Sequence, residues 1–397
     1  MSNIIEKTNE AFQTAKLTSY WLYLAGIDEA VEYAKLINLD QMDSSQIPHY
    51  DVMKRINPII HEIRYKSINE YIRKSGCKNI VDIACGYSPR GILFARDGFN
   101  YVGLDLPVVA SELAPVVEGL NLEKLRYCGG DATNYQSLMD AISDIDGPVC
   151  VVVEGITMYL NTKDVETLYN NVSRLLRSRP GSVFITTDPG FGYMFTGVIN
   201  AMMPPEKFMP TVGMLFEMYN WASDGGITHQ TERRSLESEV QRFFDCGLKA
   251  VPSPTLANPV EMKSIDSVDE EAREKILQSL QMPNVFISSA VEDYVDIGDN
   301  SSVFGITSIT DCDKIKIEIT GRLDTITVPK LLELITDCED EITEVEIDLS
   351  KVEYISAAGY RSFHLIRKDF PNKKLTLTGA SEEIQKVIDN DEIIKKL

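Results

Sequence analysis

Paired cysteines are missing from this chain. Its seven cysteines (Cys77, Cys85, Cys128, Cys150, Cys246, Cys312, Cys338) form no C-x-x-C pair and are odd in number. A disulfide framework is therefore not expected, and reduced thiols in a cytoplasmic protein are. Histidine is scarce too. The four present (His49, His61, His229, His364) are dispersed without metal-ligand spacing, so no required metal is expected. Basic residues are outnumbered 39 to 60, and the net charge of -21 would repel nucleic acid and anionic membranes. Neither is expected as a partner. No apolar run reaches membrane-spanning length, and Met1–Glu10 lacks a basic region leading into an apolar stretch, so no signal peptide is expected. With 397 residues, too many for one compact core, two soluble domains are the natural expectation.

What is present centres on Asn79-Ile-Val-Asp-Ile-Ala-Cys-Gly-Tyr-Ser-Pro-Arg90, followed by Tyr101-Val-Gly-Leu-Asp105. An apolar run breaks at Gly86, and a second apolar run ends on a carboxylate. Strand, close-approach turn, helix, strand and acid is the order of a nucleotide-type site. Gly86 has no Cβ to keep a ligand away. Asp105 at a strand end suits the two hydroxyls of a ribose. No Gly-Lys-Ser/Thr phosphate cradle lies nearby, so the ligand need not carry a polyphosphate. S-adenosylmethionine (SAM) has such a ribose and no phosphate. A structural strand pair that merely ends in Gly and Asp is the simpler alternative.

The surrounding pattern is α/β. Helical spacing from Thr8 to about Ser75 is interrupted by Pro48 and Pro58, which predicts a second helix over Ile59–Lys74. Strands are then expected at Ile80–Ala84, Tyr101–Asp105, Leu125–Tyr127, Val149–Glu154 and Ser182–Asp188. Helices between them make a mostly parallel, doubly wound sheet. The run Val149-Cys-Val-Val-Val153 reads as a central strand buried on both faces. From Pro189 the alternation stops and methionines and aromatics crowd together, either as plain core or as a substrate lid over 189–234. A helix over Val260–Gln281 and a strand over Asn284–Ala290 complete the first domain, 1–296, whose helical layer is 1–76. Gly298-Asp-Asn-Ser-Ser302 marks a linker at 297–306. Beyond it, Ile315, Ile317 and Ile319 alternate with Lys316 and Glu318, opening a second small α/β domain over 307–397.

With Glu154-Gly-Ile-Thr-Met-Tyr-Leu160 added, the first domain resembles the leucine carboxyl methyltransferase family, with its tetracenomycin-type polyketide O-methyltransferases. The resemblance implies a class I SAM-dependent, Rossmann-like fold with an added amino-terminal helical layer. Ala84-Cys-Gly-Tyr-Ser-Pro-Arg90 is similar to the family's Gly-x-Gly-x-Asp-x-Arg loop: Gly86 and Arg90 match, whereas Ala84 and Ser88 depart from it. The resemblance also implies roles. Asp105 with Leu106 would meet the ribose, Asp131 with Ala132 would lie beside the adenine, and Glu154 would close the cofactor pocket. Arg64 would hold the cofactor carboxylate in its planar fork, with Lys16 as a second basic contact. For Arg64 a surface salt bridge is the alternative.

The carboxyl-terminal domain resembles a STAS domain, the fold of anti-sigma-factor antagonists, through Gly321-Arg-Leu-Asp324 and Ile347–Gly359. In that family a phosphorylatable serine precedes the glycine at a helix start. Here Ala357 and Ala358 stand before Gly359, leaving Ser356 as a poorer acceptor. The unit either binds a signalling partner, docks on the first domain or mediates a homodimer.

The reaction so implied moves a methyl group from SAM to a carboxylate or hydroxyl oxygen of a small-molecule or protein acceptor, leaving S-adenosylhomocysteine. A hydroxyl acceptor needs a general base, for which Tyr159, Asp188 and His229 are the candidates; a carboxylate needs none. The rival expectation is a non-catalytic SAM-binding regulator that acts through its STAS domain.

Overall fold

The computed structural model describes residues 11–222, 236–255, 262–266, 268–291, 304–311, 313–323, 327–336, 338, 342–355 and 357–390. Chain contacts divide into two compact units, Ala11–Asp296 and a second that begins at Ile297.

The first unit opens with three helices, α1 (Ala11–Leu24), α2 (Asp28–Leu36) and α3 (Tyr50–Lys74). Helix α3 runs straight through Pro58, where a boundary was expected. Met53, Ile56, Ile59, Ile60 and Ile63 share one apolar cluster, and that packing outweighs the roughly 3 kcal/mol an interior proline costs. Strands and helices then alternate: β1 (Asn79–Ile83), α4 (Arg90–Arg96), β2 (Asn100–Asp105), α5 (Pro107–Leu120), β3 (Leu125–Gly129), α6 (Tyr135–Ala141), β4 (Val149–Val153), α7 (Thr162–Ser178) and β5 (Val183–Thr186). Helix α6 was not anticipated from the sequence. The insertion forms α8 (Phe191–Met202) and α9 (Pro205–Ala222), and α10 (Leu236–Asp245), β6 (Leu248–Pro254), α11 (Glu270–Ser279) and β7 (Pro283–Ala290) close the unit. The helix expected from Val260 thus begins only at Glu270, residues 256–261 and 267 lying outside the described residues.

The seven-stranded sheet has the order β3-β2-β1-β4-β5-β7-β6. Its first five strands are parallel and β7 is antiparallel to both neighbours. The order reverses between β1 and β4, which opens a crevice at their carboxyl ends. Strand β4 is buried along its whole length, as its valine run requires. Val149, Val151 and Val153 face the cluster built with α6 and α7, while Cys150 and Val152 face the opposite cluster with Ile68, Phe94 and Leu113. The inner faces of α8 and α9 (Met194, Phe195, Val198, Met218, Tyr219) pack with α1 and α3, so half of the Met- and aromatic-rich insertion is core. Tyr193, Met209 and Phe216 stay exposed.

The second unit is a four-stranded sheet, β11-β10-β9-β8, from β8 (Gly305–Asp311), β9 (Lys314–Leu323), β10 (Glu344–Ile355) and β11 (Lys374–Thr378). Helices α12 (Val328–Thr336), α13 (Ala357–Asp369) and α14 (Glu382–Asn390) complete it. Ile315, Ile317 and Ile319 point into its core, and Lys314, Lys316 and Lys351 pair with Glu346, Asp348 and Glu318 on the other face. Strand β8 begins inside the expected linker. Residues 297–303 of that linker, and Ser356, lie outside the described residues.

At the start of α13, a Cβ on Gly359 would meet the Leu323 carbonyl oxygen at 2.5 Å and Ile355 Cγ2 at 2.6 Å. Gly359→Ala is expected to destabilise this unit by about 1–3 kcal/mol through overpacking. Hydrogen exchange over 305–390, read beside 79–188, checks that the loss is confined there.

Candidate functional site

Four segments meet at the carboxyl edge of the sheet: the turn after β1 and the ends of β2, β4 and β5. Asp105 ends β2 and is half-buried. Its Oδ2 accepts the Gly86 N–H at 2.6 Å and its Oδ1 accepts the Leu106 N–H at 2.7 Å. Burial pushes its pKa up to about 6, against the pull of those two amides. A carboxylate offers about four acceptor positions, so two remain for other donors.

The turn after β1 holds two left-handed residues, Ala84 (φ 55°) and Gly86 (φ 52°). Gly86 is free to sit there; Ala84 is strained by about 1–2 kcal/mol. The Ala84 N–H donates to the Leu104 carbonyl at 2.7 Å, which holds the strained residue against β2. Ser88 Oγ accepts the Arg90 N–H at 3.3 Å. Helix α1 lies on this turn: Ser19 Oγ donates to the Tyr87 carbonyl at 2.5 Å, and a Cβ on Gly86 would come within 2.7 Å of the Ala15 methyl. Lys16 sits on the same side, with Nζ 2.9 Å from Glu112 and 4.9 Å from the Tyr87 ring centroid.

Arg90 is 1% exposed and wholly engaged. It donates from Nε to Asn69 (2.8 Å), from Nη1 to Asp82 (2.9 Å) and from Nη2 to Glu154 (2.5 Å). Tyr101 Oη donates to the same Asp82 oxygen at 2.6 Å. The other oxygen of Glu154 lies 2.5 Å from Arg64 Nε. Burial alone would raise the Glu154 pKa, but Arg64 and Arg90 hold it below the usual carboxylate range. Arg64 is 4% exposed on its side chain and stacks over Phe191, 4.7 Å from the ring centroid. Its Nε meets Glu154 as a close ion pair. The surface salt bridge considered for Arg64 is thus excluded by its burial.

The remaining sequence candidates fall into different places. Asp188 Oδ1 accepts the Gly155 N–H at 2.5 Å, and its Oδ2 accepts those of Ile156 (3.0 Å) and Thr157 (2.9 Å). Burial raises its pKa, partly offset by the Gly155 and Thr157 amides. It pins the loop after Glu154, and three amides leave it little capacity as a base. Tyr159 lies buried in that loop, in the single turn Thr157–Tyr159. Asp131 closes a turn after β3 by accepting the N–H and hydroxyl of Thr133 at 2.7 and 2.6 Å. Ala132 packs beside the core, and His229 lies outside the described residues. Two residues escaped sequence reading. His61, one turn before Arg64 on α3, is 3.4 Å from Arg64 Nη2 through Nδ1 and 3.0 Å from Tyr219 Oη through Nε2. Only the i, i+3 spacing of His61 and Arg64 signalled this; Tyr219 is 158 residues away.

Residues 306–396 match the family model described as STAS domain. The second unit has the STAS fold. No curated protein matches the chain. Among solved structures, a chain of the complex between the Haloferax volcanii Trm112 methyltransferase activator and a methyltransferase is 14% identical, with 58% of this chain and 91% of that one covered and a TM-score of 0.35. An O-methyltransferase family protein from Burkholderia thailandensis is 10% identical over 62% of this chain and 61% of that one, TM-score 0.34. PKMT2 from Rickettsia typhi, in complex with AdoHcy, is 10% identical over 63% and 59%, TM-score 0.32. The Rossmann-like, doubly wound fold of the first unit rests on its own strand order. Among the described residues, no helix is long and apolar enough to cross a membrane, and no group of three or more acidic, His or Cys side chains gathers to hold a metal.

Two variants separate the frame of the site from its strain. Arg90→Met leaves Asp82 buried without its cation and Glu154 with Arg64 alone, and should cost roughly 3–5 kcal/mol in chemical denaturation. Ala84→Gly relieves a left-handed alanine and should stabilise by about 1 kcal/mol, a rise of about 2–4 °C in melting temperature.

Proposed function

We propose that the chain is a SAM-dependent O-methyltransferase whose STAS domain binds a regulatory partner. On this reading 1–296 is the methyltransferase domain, with 1–76 its helical layer and 189–234 its lid; 297–306 is the linker and 307–397 the STAS-like domain. Kinship with the leucine carboxyl methyltransferase family is part of the proposal.

The observation that carries it is the buried Arg64–Glu154 ion pair at the end of β4. A buried ion pair of this kind is matched by a zwitterion, the form of an α-amino acid. Arg64 would take the carboxylate of the cofactor and Glu154 its ammonium, while Asp105, across the strand-order reversal, keeps two acceptor positions for ribose hydroxyls. The chemical donor sets therefore fit SAM at both ends. When bound, SAM supplies an electrophilic methyl group on sulfonium. The chain's own work is to position and to exclude water. Arg90 keeps Glu154 aimed, Asp188 fixes the loop carrying Tyr159, and α8 and α9 close the apolar side.

Two acids of the site are engaged, Glu154 by two arginines and Asp188 by three amides, while Asp105 is given to the ribose. His61 is held neutral by burial and by Arg64. This supports an acceptor that arrives already ionised, a carboxylate, over a hydroxyl that must be deprotonated. The departures at Ala84 and Ser88 motivate the second reading, a SAM-binding regulator without turnover, and the two part at methyl transfer.

Calorimetric titration with SAM at several pH values tests the site. Because Asp105 must be ionised to accept two hydroxyls, affinity should fall as pH drops through about 6, reaching about tenfold weaker at pH 5 than at pH 7. Asp105→Asn should bind weakly at every pH and lose that slope. A folded Asp105→Asn protein with wild-type affinity would sink the assignment.

A further inference from the structure

Helices α3 and α9 meet residue by residue. Asn57 Nδ2 donates to Met218 Sδ at 3.5 Å, and His61 meets Tyr219 one turn further along α3. His61 is 1% exposed and also faces the Phe191 ring at 6.5 Å. The direction of this hydrogen-bond chain is fixed by one chemical fact. A guanidinium only donates, so the His61 Nδ1 that faces Arg64 Nη2 must be the acceptor. The ring proton therefore sits on Nε2, which donates to Tyr219 Oη. An imidazolium would set two donors against each other, and burial with Arg64 alongside holds the ring well away from that form. Glu154 holds Arg64 through Nε, and His61 accepts from its Nη2. His61 is thus a second acceptor that orients the guanidinium, and Tyr219, on the insertion, orients His61.

We propose that Tyr219 is a positioning residue that acts through His61 to aim Arg64, so that closure of α9 is coupled to the amino-acid end of the cofactor. This rests on the reading of Arg64 as the contact for the cofactor carboxylate. Coupling is reciprocal: if α9 aims Arg64, a carboxylate on Arg64 steadies α9. A nucleoside without the amino acid has no access to this chain of contacts.

The test compares S-adenosylhomocysteine with 5′-methylthioadenosine, which keeps the nucleoside and thioether but lacks the amino acid. Tyr219→Phe removes one hydroxyl and should weaken S-adenosylhomocysteine by about five- to tenfold. Binding of 5′-methylthioadenosine should be unchanged, which also reports that the variant is folded. In the wild-type protein, S-adenosylhomocysteine should slow hydrogen exchange over 205–222, and 5′-methylthioadenosine should not. Equal weakening of both ligands, no weakening of either, or an α9 response common to both would overturn the coupling alone. A folded wild-type chain that binds neither ligand would overturn the cofactor reading and the coupling with it.

Discussion

The carboxyl edge of the first unit depends on one buried cation. Arg90 sits where water cannot reach it and reaches Asn69, Asp82 and Glu154 with three different nitrogens. A guanidinium so placed without partners would be prohibitively expensive, so those three side chains have little freedom once the sheet forms. They come from α3, β1 and the end of β4, and Tyr101 on β2 holds Asp82 from the far side. One residue thus ties three adjacent strands to the helical layer. Arg64 then adds a second cation to Glu154, which brings the group to two positive and two negative charges and makes it neutral as a whole.

That neutrality has a functional consequence. A neutral, rigid group of alternating charge has no net pull on simple anions or cations, but it complements a ligand that carries both signs a few ångströms apart. The acids and donors are in place before any ligand arrives, so little reorganisation is left for binding or for chemistry. Asp105 works differently. Its carboxylate organises the turn after β1 through the Gly86 amide and starts α5 through the Leu106 amide, and keeps capacity to spare. The structural role of that side chain leaves acceptor capacity over, whereas in Arg90 and Asp188 the structural role takes up most of the group.

The strand ends were legible in the sequence because their signal is local. Ile80 to Ile83, Tyr101 to Asp105 and Val149 to Val153 each announce a strand by composition, and Asp105 and Glu154 stand at the ends of the last two. The interior of helix α3 was not legible at Pro58, because proline's local cost is overridden by apolar partners that arrive from α1, α8 and α9. The first two residues of strand β8 were read as linker, since Gly305-Ile-Thr-Ser-Ile-Thr-Asp311 carries no strong alternation of its own and is recruited by β9. Arg90 was recognised as a loop residue, but no periodicity reveals that it bridges Asp82 and Glu154. The His61–Tyr219 contact was invisible for the same reason: it joins two helices whose packing is decided by the whole core.

Ala84 shows how far a degraded motif can be from a degraded site. Replacing a glycine in such a turn has two separable effects, a change of backbone shape or a strain at constant shape. The turn keeps its left-handed pair at 84 and 86. Three hydrogen bonds hold it: the Ala84 and Cys85 amides to the Leu104 carbonyl, and the Gly86 amide to Asp105. A penalty of about 1–2 kcal/mol is small beside what those contacts and the packing of Ala15 contribute, so the strain is borne without a change of shape. An alanine at this left-handed position therefore bears on stability first. Whether the turn still serves a ligand is decided by the amide directions and by Asp105, both of which the strained residue leaves in place.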